Sequence, residues 1–203
     1  MATPHYRLAG PGDIAALCDL INIGHRADHI PQVLSPAEVR EEIDDAGDIA
    51  TDVLLAVAGE PTDEIIGYIR TMYLPSDVLW ERCYLFGSVH PEHRGRGIGQ
   101  SLMAWGIARA ATLLASSQND LPSYIRVELA DGVESGRRLF DRLGFRKVRV
   151  NEELLRPLYE LPEILEPAGV RIVAWPADRD DEILTVKNAA FADHWGSTPT
   201  PAH

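Results

Sequence analysis

Cysteine is almost absent from this sequence: Cys18 and Cys83 are the whole supply. Two thiols cannot build a disulfide framework or a thiolate zinc site. The 7 histidines are scattered without metal-ligand spacing, so two reduced thiols and no metal are expected. Long apolar runs are missing as well. No stretch of about 18 apolar residues occurs, and the opening MATPHYRLAGPGD has no basic segment followed by an apolar one. Neither a membrane span nor a signal peptide is supported, no membrane partner is expected, and a cytoplasmic location follows by default. Positive charge is scarce: 19 Lys and Arg stand against 31 Asp and Glu, a net charge of -12. Nucleic-acid binding needs a broad basic field, so nucleic acid is not an expected partner. The acidity fits a cationic or neutral small molecule better.

What is present is enough for one full domain and part of a second: 203 residues, 45% hydrophobic and 25% charged. YRLAGPGDIAALCDLINIGHRADH reads as strand, turn and helix, with Ile14, Leu17, Leu20 and Ile21 at helical spacing. Ser35 followed three residues later by Glu38 is a capping box opening a second helix through SPAEVREEIDD. TDVLLAVAGE, EIIGYIRTMYL and WERCYLFGSVH have strand character and are separated by turn formers, which predicts an antiparallel meander. SLMAWGIARAATLLAS then places Met103, Ile107, Ala110 and Leu114 on one helical stripe. YIRVELADG is a further strand, SGRRLFDRLGF a helix stopped by Gly144, and RKVRVNEELL a last strand. The order predicts an α/β fold with a mixed, mostly antiparallel sheet flanked by helices.

Beyond LPEILEPAG the chain runs like its own beginning. Arg7 matches Arg171, Asn22 matches Asn188, and Ala27-Asp28-His29 matches Ala192-Asp193-His194. A repeat at one domain length predicts a first domain over 1–160, a linker over 161–168, and the truncated start of a second copy, one strand and one helix, over 169–203. Such a segment would expose Ile172, Ile183, Leu184 and Phe191, and docking onto another copy as a homodimer is the expectation.

Between the third strand of the meander and the long helix lies HPEHRGRGIGQS, residues 90–101. Closely spaced glycines let main-chain N–H groups converge without Cβ obstruction, and a helix N-terminus adds a positive dipole field, so the loop suits a phosphate. A Walker loop would need a lysine after the glycines, and a dinucleotide fingerprint would need a small residue where Leu102 stands. Both nucleotide motifs fail.

Arg94-x-x-Gly97-x-Gly99, after a strand ending Val89-His90-Pro91 and before a helix, resembles the acyl-CoA loop of the GNAT superfamily of acetyltransferases. SGRRLFDRLGF resembles that superfamily's second cofactor motif, and the tail resembles the opening of a second domain in tandem, mycothiol synthase-like members. The resemblance implies the GNAT acyl-CoA N-acyltransferase fold and acetyl-CoA as cosubstrate. It implies that main-chain amides of Gly95, Arg96, Gly97, Ile98 and Gly99, with Gln100 and Ser101, hold the CoA pyrophosphate. Arg94 and Arg96 would add charge, and Ser88 and Val89 would offer main-chain hydrogen bonds to the pantetheine arm. The implied activity is acetyl transfer to a small-molecule amine by direct attack in a ternary complex.

Direct transfer calls for a base to take the ammonium proton and some help for the leaving thiolate. The tyrosine that often supplies the acid in the superfamily corresponds here to Phe140, and the asparagine at the start of that motif corresponds to Val133. Solvent, Tyr84 or Tyr159 could protonate the thiolate instead. Glu81, on one face of its strand with Cys83, and Glu128 in YIRVELADG are the candidate bases; an ordinary surface carboxylate is the competing reading of Glu81. His90, His25, His29 and Asp28 lie where contact with the acyl group or acceptor is conceivable. The loss of the tyrosine leaves a second function open, a non-catalytic acyl-CoA-binding half of a tandem protein.

Overall fold

A computed structural model describes residues 3–200 except 46, 60–62, 77–78, 153, 164, 166, 177, 195–196 and 198. Parts of two expected turns and of the expected linker therefore lie outside the described residues. The chain forms two compact units, Met1–Arg146 and Lys147–His203.

The first unit is built on a five-stranded sheet in the order β1-β2-β3-β4-β5, comprising β1 His5–Leu8, β2 Val53–Val57, β3 Ile65–Leu74, β4 Glu81–Val89 and β5 Ser123–Val127. The first three pairings are antiparallel and β4 pairs with β5 in parallel, so the sheet is mixed and mostly antiparallel, as the element order predicts. The parallel step requires a crossover, which α4, Ile98–Ala115, supplies. On the other side of the sheet lie α1, Ile14–Ala27, and α2, Pro36–Asp44. The Ser35–Glu38 capping box at the start of α2 is formed. A short α3, Ile49–Asp52, precedes β2 where no helix was expected; Asp48 caps it by accepting from the Ala50 amide at 2.9 Å.

Two cores follow from the two faces. Leu17, Leu20, Ile21, Val53, Leu55 and Val57 fill the α1 side, and Ile69, Cys83, Leu85, Leu102, Met103 and Ala110 fill the α4 side. The buried stripe of α4 runs through Ile98, Leu102, Gly106 and Ala110, with Met103 beside it, while Ile107 and Leu114 are only partly buried. Gly106 sits at the point of closest approach: a Cβ there would lie 2.5 Å from Ile69 Cδ1. The helix α5, Glu134–Arg142, ends at Gly144, whose φ of 83° is the left-handed stop expected from the sequence.

The second unit contains a helix, α6, Asp180–Ala190. The strands expected in RKVRVNEELL and around Ile172 do not appear among the described residues. Val148, Val150, Ile172 and Val173 are exposed, and an extended segment without a ladder partner leaves its polar main chain to water.

Candidate functional site

The sheet opens at one place. Register between β4 and β5 runs from Glu81↔Ser123 to Leu85↔Val127 and stops, whereas β4 continues against β3 as far as Gly67↔Val89. From Phe86 to Val89, β4 thus has a partner on one side only. The His90 amide donates to the Ile66 carbonyl at 2.9 Å. Ladder alternation from that pair turns the main-chain groups of Ser88 toward Tyr68 and those of Gly87 and Val89 toward the opening. The Ser88 side chain lies against α1.

Where β4 ends, the chain passes through Pro91–His93 and Gly95–Gly97 into α4. Gly95 and Gly97 have φ of 77° and 85°, and a Cβ on either would meet nothing within 4 Å. These conformations suit glycine, and they leave the start of α4 open. Gly97 is the N-cap of α4 and brings no side-chain cap, while the Ser101 amide is the first to bond back, to the Gly97 carbonyl at 3.1 Å. The amides of Ile98, Gly99 and Gln100 are left as first-turn donors at the positive end of an 18-residue helix. Arg96 is exposed beside them and donates to the Glu92 carbonyl at 2.7 Å. Arg94 is differently engaged. Its Nη1 and Nη2 donate to Asp28 at 2.6 and 2.8 Å, and its Nε donates to the Val89 carbonyl at 3.0 Å.

The face of the sheet away from α4 carries a continuous stack across three strands. The Arg70 guanidinium lies 5.0 Å from the Phe86 ring, Phe86 and Tyr84 are parallel within 5° at 5.9 Å, and the Arg126 guanidinium lies 5.1 Å from Tyr84. Arg126 also donates to the Tyr84 hydroxyl at 3.1 Å and pairs with Glu128 at 2.8 Å. Glu128 stands one residue past β5, on the Tyr84 face by strand alternation, beside the opening, with a half-exposed side chain.

Glu81 is placed elsewhere. It is 2% exposed, on the α4 face with Cys83, and its Oε1 accepts from Tyr73 at 2.8 Å and Ser117 at 2.7 Å. Burial pushes its carboxyl up, yet donation from Ser117, Tyr73, Asn119 and the Ser76 amide outweighs that and holds it below the usual carboxylate value. From Glu81 to Val89 β4 rises about 26 Å. Glu81 is thus neither a surface carboxylate nor near the opening; it ties β4 to β3 and to the end of α4. Its neighbour Cys83 is pushed up to about 12 by burial and by the field of Asp52.

Phe140 packs on Phe145 at 5.8 Å and joins the α4-side core, keeping the packing expected of the helix without a proton donor. Tyr159 belongs to the second unit and is exposed. His90 accepts from the Glu92 amide at 3.3 Å, and His25 Nδ1 lies 2.9 Å from the Gln32 carbonyl. His29 holds a φ of 56°, directly after Asp28. The Arg94–Asp28 pair, the buried Glu81 network and the Tyr84–Phe86 stack were not foreseen. Asp28 and Glu81 carry no sequence mark of their partners, 66 and 36 residues away. The period of two along β4 does place Tyr84 and Phe86 on one face.

Comparison with known proteins links part of the chain to acetyltransferases. The model of the acetyltransferase (GNAT) domain matches residues 51–147. A mycothiol acetyltransferase of Frankia alni is 42% identical over 110 residues, 52% of this chain and 31% of that protein. Another from Mycobacterium sp. (strain JLS) is 33% identical over 107 residues, 52% of this chain and 32% of that protein. The chain spans about a third of the length of these curated relatives. Among solved structures, a GCN5-related N-acetyltransferase from Sphaerobacter thermophilus superposes with a TM-score of 0.67 at 24% identity, covering 99% of this chain and 62% of that one. A predicted acetyltransferase with acetyl-CoA from Clostridium acetobutylicum gives 0.58 at 16% identity, covering 75% and 96%. At these identities the structures establish a shared fold. No described helix is long and apolar enough to cross a membrane, and no group of metal-holding side chains occurs among the described residues.

Proposed function

We propose that this chain, whose residues 51–147 match the acetyltransferase (GNAT) domain, moves the acetyl group of acetyl-CoA onto a small amine by direct attack in a ternary complex. The observation that carries this reading is the continuity of two features: the half-partnered end of β4 leads through one loop into an uncapped, glycine-lined helix start. One binds an amide-bearing arm as a strand would, and the other binds an anion. A molecule joining a diphosphate to an amide-containing arm uses both, and CoA is such a molecule. The amides of Gly95 to Gln100 would take the pyrophosphate, with Arg96 as exposed cation, and Gly87 and Val89 would hydrogen-bond the pantetheine arm.

When bound, acetyl-CoA supplies the activated acyl group; the chain's own residues orient it and handle protons. Main-chain N–H groups on the open side of β4 polarise the acyl oxygen. One face of the opening is filled by the α4-side core, so the acceptor enters over the Tyr84–Phe86 face. There the Glu128 carboxylate, held by Arg126, takes the proton the ammonium must lose and passes it to solvent. The Tyr84 hydroxyl accepts from Arg126 and so keeps its own proton for donation to the departing thiolate. A thiolate near the reference pKa of ~8.5 needs only modest help. Self-association through the exposed apolar side chains of the second unit completes the reading, and a mass above that of one chain in light scattering supports it.

The test is acetyl-CoA titration followed by CoA release with a panel of primary amines. Binding with acceptor-dependent release above hydrolysis supports the enzyme. Phe140, packed into the core where an acid would stand, favours the second reading, a non-catalytic acyl-CoA-binding half of a tandem protein. Binding without release under any amine assigns that role, and absence of acetyl-CoA binding at millimolar concentration removes both.

A further inference from the structure

We propose that Asp28 and Arg94 form a strut that positions the cofactor loop and fastens it to the end of α1, so that Arg94 shapes the loop instead of contacting the diphosphate. The inference rests on the acetyl-CoA site proposed above, and it reverses the role that the motif assigns to this arginine.

Three of the five guanidinium donors of Arg94 are committed to protein, two to the Asp28 carboxylate and one to the Val89 carbonyl. Side-chain exposure is 25% for Arg94 and 16% for Asp28, so the pair is partly shielded and its charges cancel locally. A cation compensated in this way adds little field at the helix start; the exposed Arg96 is better placed to add it. The bidentate fork also fixes direction, which a point charge cannot do. Through Nε it grips the carbonyl of the last residue of β4, and Val89 is one of the two residues whose main chain faces the opening.

Asp28 is itself held. It is the C-cap of α1, with its amide donating to the Gly24 and Arg26 carbonyls, and the chain turns left-handed immediately after it at His29. One turn earlier, Gly24 permits a second close approach: a Cβ there would lie 2.6 Å from Ser88 Oγ. The last turn of α1 thus meets the end of β4 at two points about 6 Å apart along the helix. Movement of the α1 end and movement of the cofactor loop are one motion.

Titration of the full chain with CoA tests the strut. Asp28→Asn and Arg94→Met each weaken binding about tenfold, and the double variant binds no more weakly than either, because both remove one interaction. Arg94→Lys does not restore affinity, since an ammonium lacks the fork. The salt dependence of binding stays unchanged in Arg94→Met, because no phosphate contact is lost. Tighter binding by Asp28→Asn overturns the proposal, for it would mean that Asp28 competes with the diphosphate for Arg94; unchanged affinity overturns it too. Hydrogen exchange on the ligand-free protein separates this failure from failure of the CoA reading. Asp28→Asn raises exchange over residues 89–101 whether or not CoA binds, and unchanged exchange overturns the strut. Lack of CoA binding by the unsubstituted chain would instead remove the cofactor site and leave the strut to the exchange measurement.

Discussion

Asn22 on α1 holds the main chain of Leu34 by both its groups: the side-chain Nδ2 donates to the Leu34 carbonyl at 2.8 Å, and Oδ1 accepts from the Leu34 amide at 2.9 Å. Asn188 on α6 grips Thr200 in the same way, at 3.0 and 2.9 Å. The separation is 12 residues in both. A matched clasp at the matched positions is a structural reason, beyond letter identity, to propose that the second unit repeats the opening of the first. Asn22→Ala leaves a part-buried amide and carbonyl without partners and should cost about 1–3 kcal/mol in urea unfolding. An equal midpoint would show that water replaces the clasp.

Gly97→Asp places a carboxylate where the helix-start amides converge and a side chain on a residue with φ of 85°. CoA affinity should fall by more than about 100-fold, against roughly tenfold for Gly97→Ala, which adds left-handed strain of about 1–2 kcal/mol but no charge. Calorimetric titration of the two variants checks this, and unchanged affinity in Gly97→Asp removes the loop as the anion site.

The proposed roles of the two glutamates, base for Glu128 and architecture for Glu81, can be separated by mutation. If Glu128 is the base as proposed, Glu128→Gln should slow acetyl transfer about 100-fold or more with an unaltered melting temperature, because its side chain is half exposed. Glu81→Gln should lower the melting temperature while transfer per folded molecule persists, since it alters a buried acceptor of several donors. Steady-state rates beside thermal melts separate them, and the opposite assignment would return Glu81 to the site.

Stability should decline as the solution becomes alkaline. Burial raises the Cys83 thiol from 9.0 to about 12, and burial raises the Tyr68 hydroxyl from 10.0 to about 12. Between pH 9 and about 12 the unfolded chain releases these protons while the folded chain retains them, so each group lowers stability by up to about 1.4 kcal/mol per pH unit across its window. The contribution is fully present below the unfolded values and lost as pH rises toward the folded ones. Urea unfolding from pH 8 to 11 checks the slope, which Cys83→Ala and Tyr68→Phe should each flatten.

Much of the first unit was legible because its signals are local. The Ser35–Glu38 box, the alternation along β4, the glycines before α4 and the Gly144 stop each act within a few residues. What was not legible depends on distant partners or on the absence of a side chain. Glu81 reads as a surface carboxylate until Ser117 and Tyr73 fold over it. The pairing of Arg94 with Asp28, 66 residues earlier in the chain, leaves no local mark in the sequence. Gly106, whose role depends on a missing side chain, is where α4 comes close to the sheet. The strands expected around Val148 and Ile172 illustrate the converse, since propensity alone does not pair an edge.

Past Leu85 and Val127 the sheet is unfinished, and the groups left facing the opening belong to the main chain. Side chains along that stretch of β4 can therefore drift without altering the donors and acceptors it presents, which helps one architecture persist at 16% identity. Proline is the residue this stretch tolerates least: at Gly87 or Val89 it would delete an N–H that no other part of the strand replaces. In the proposed reading the backbone there is a template whose last strand arrives from outside the chain.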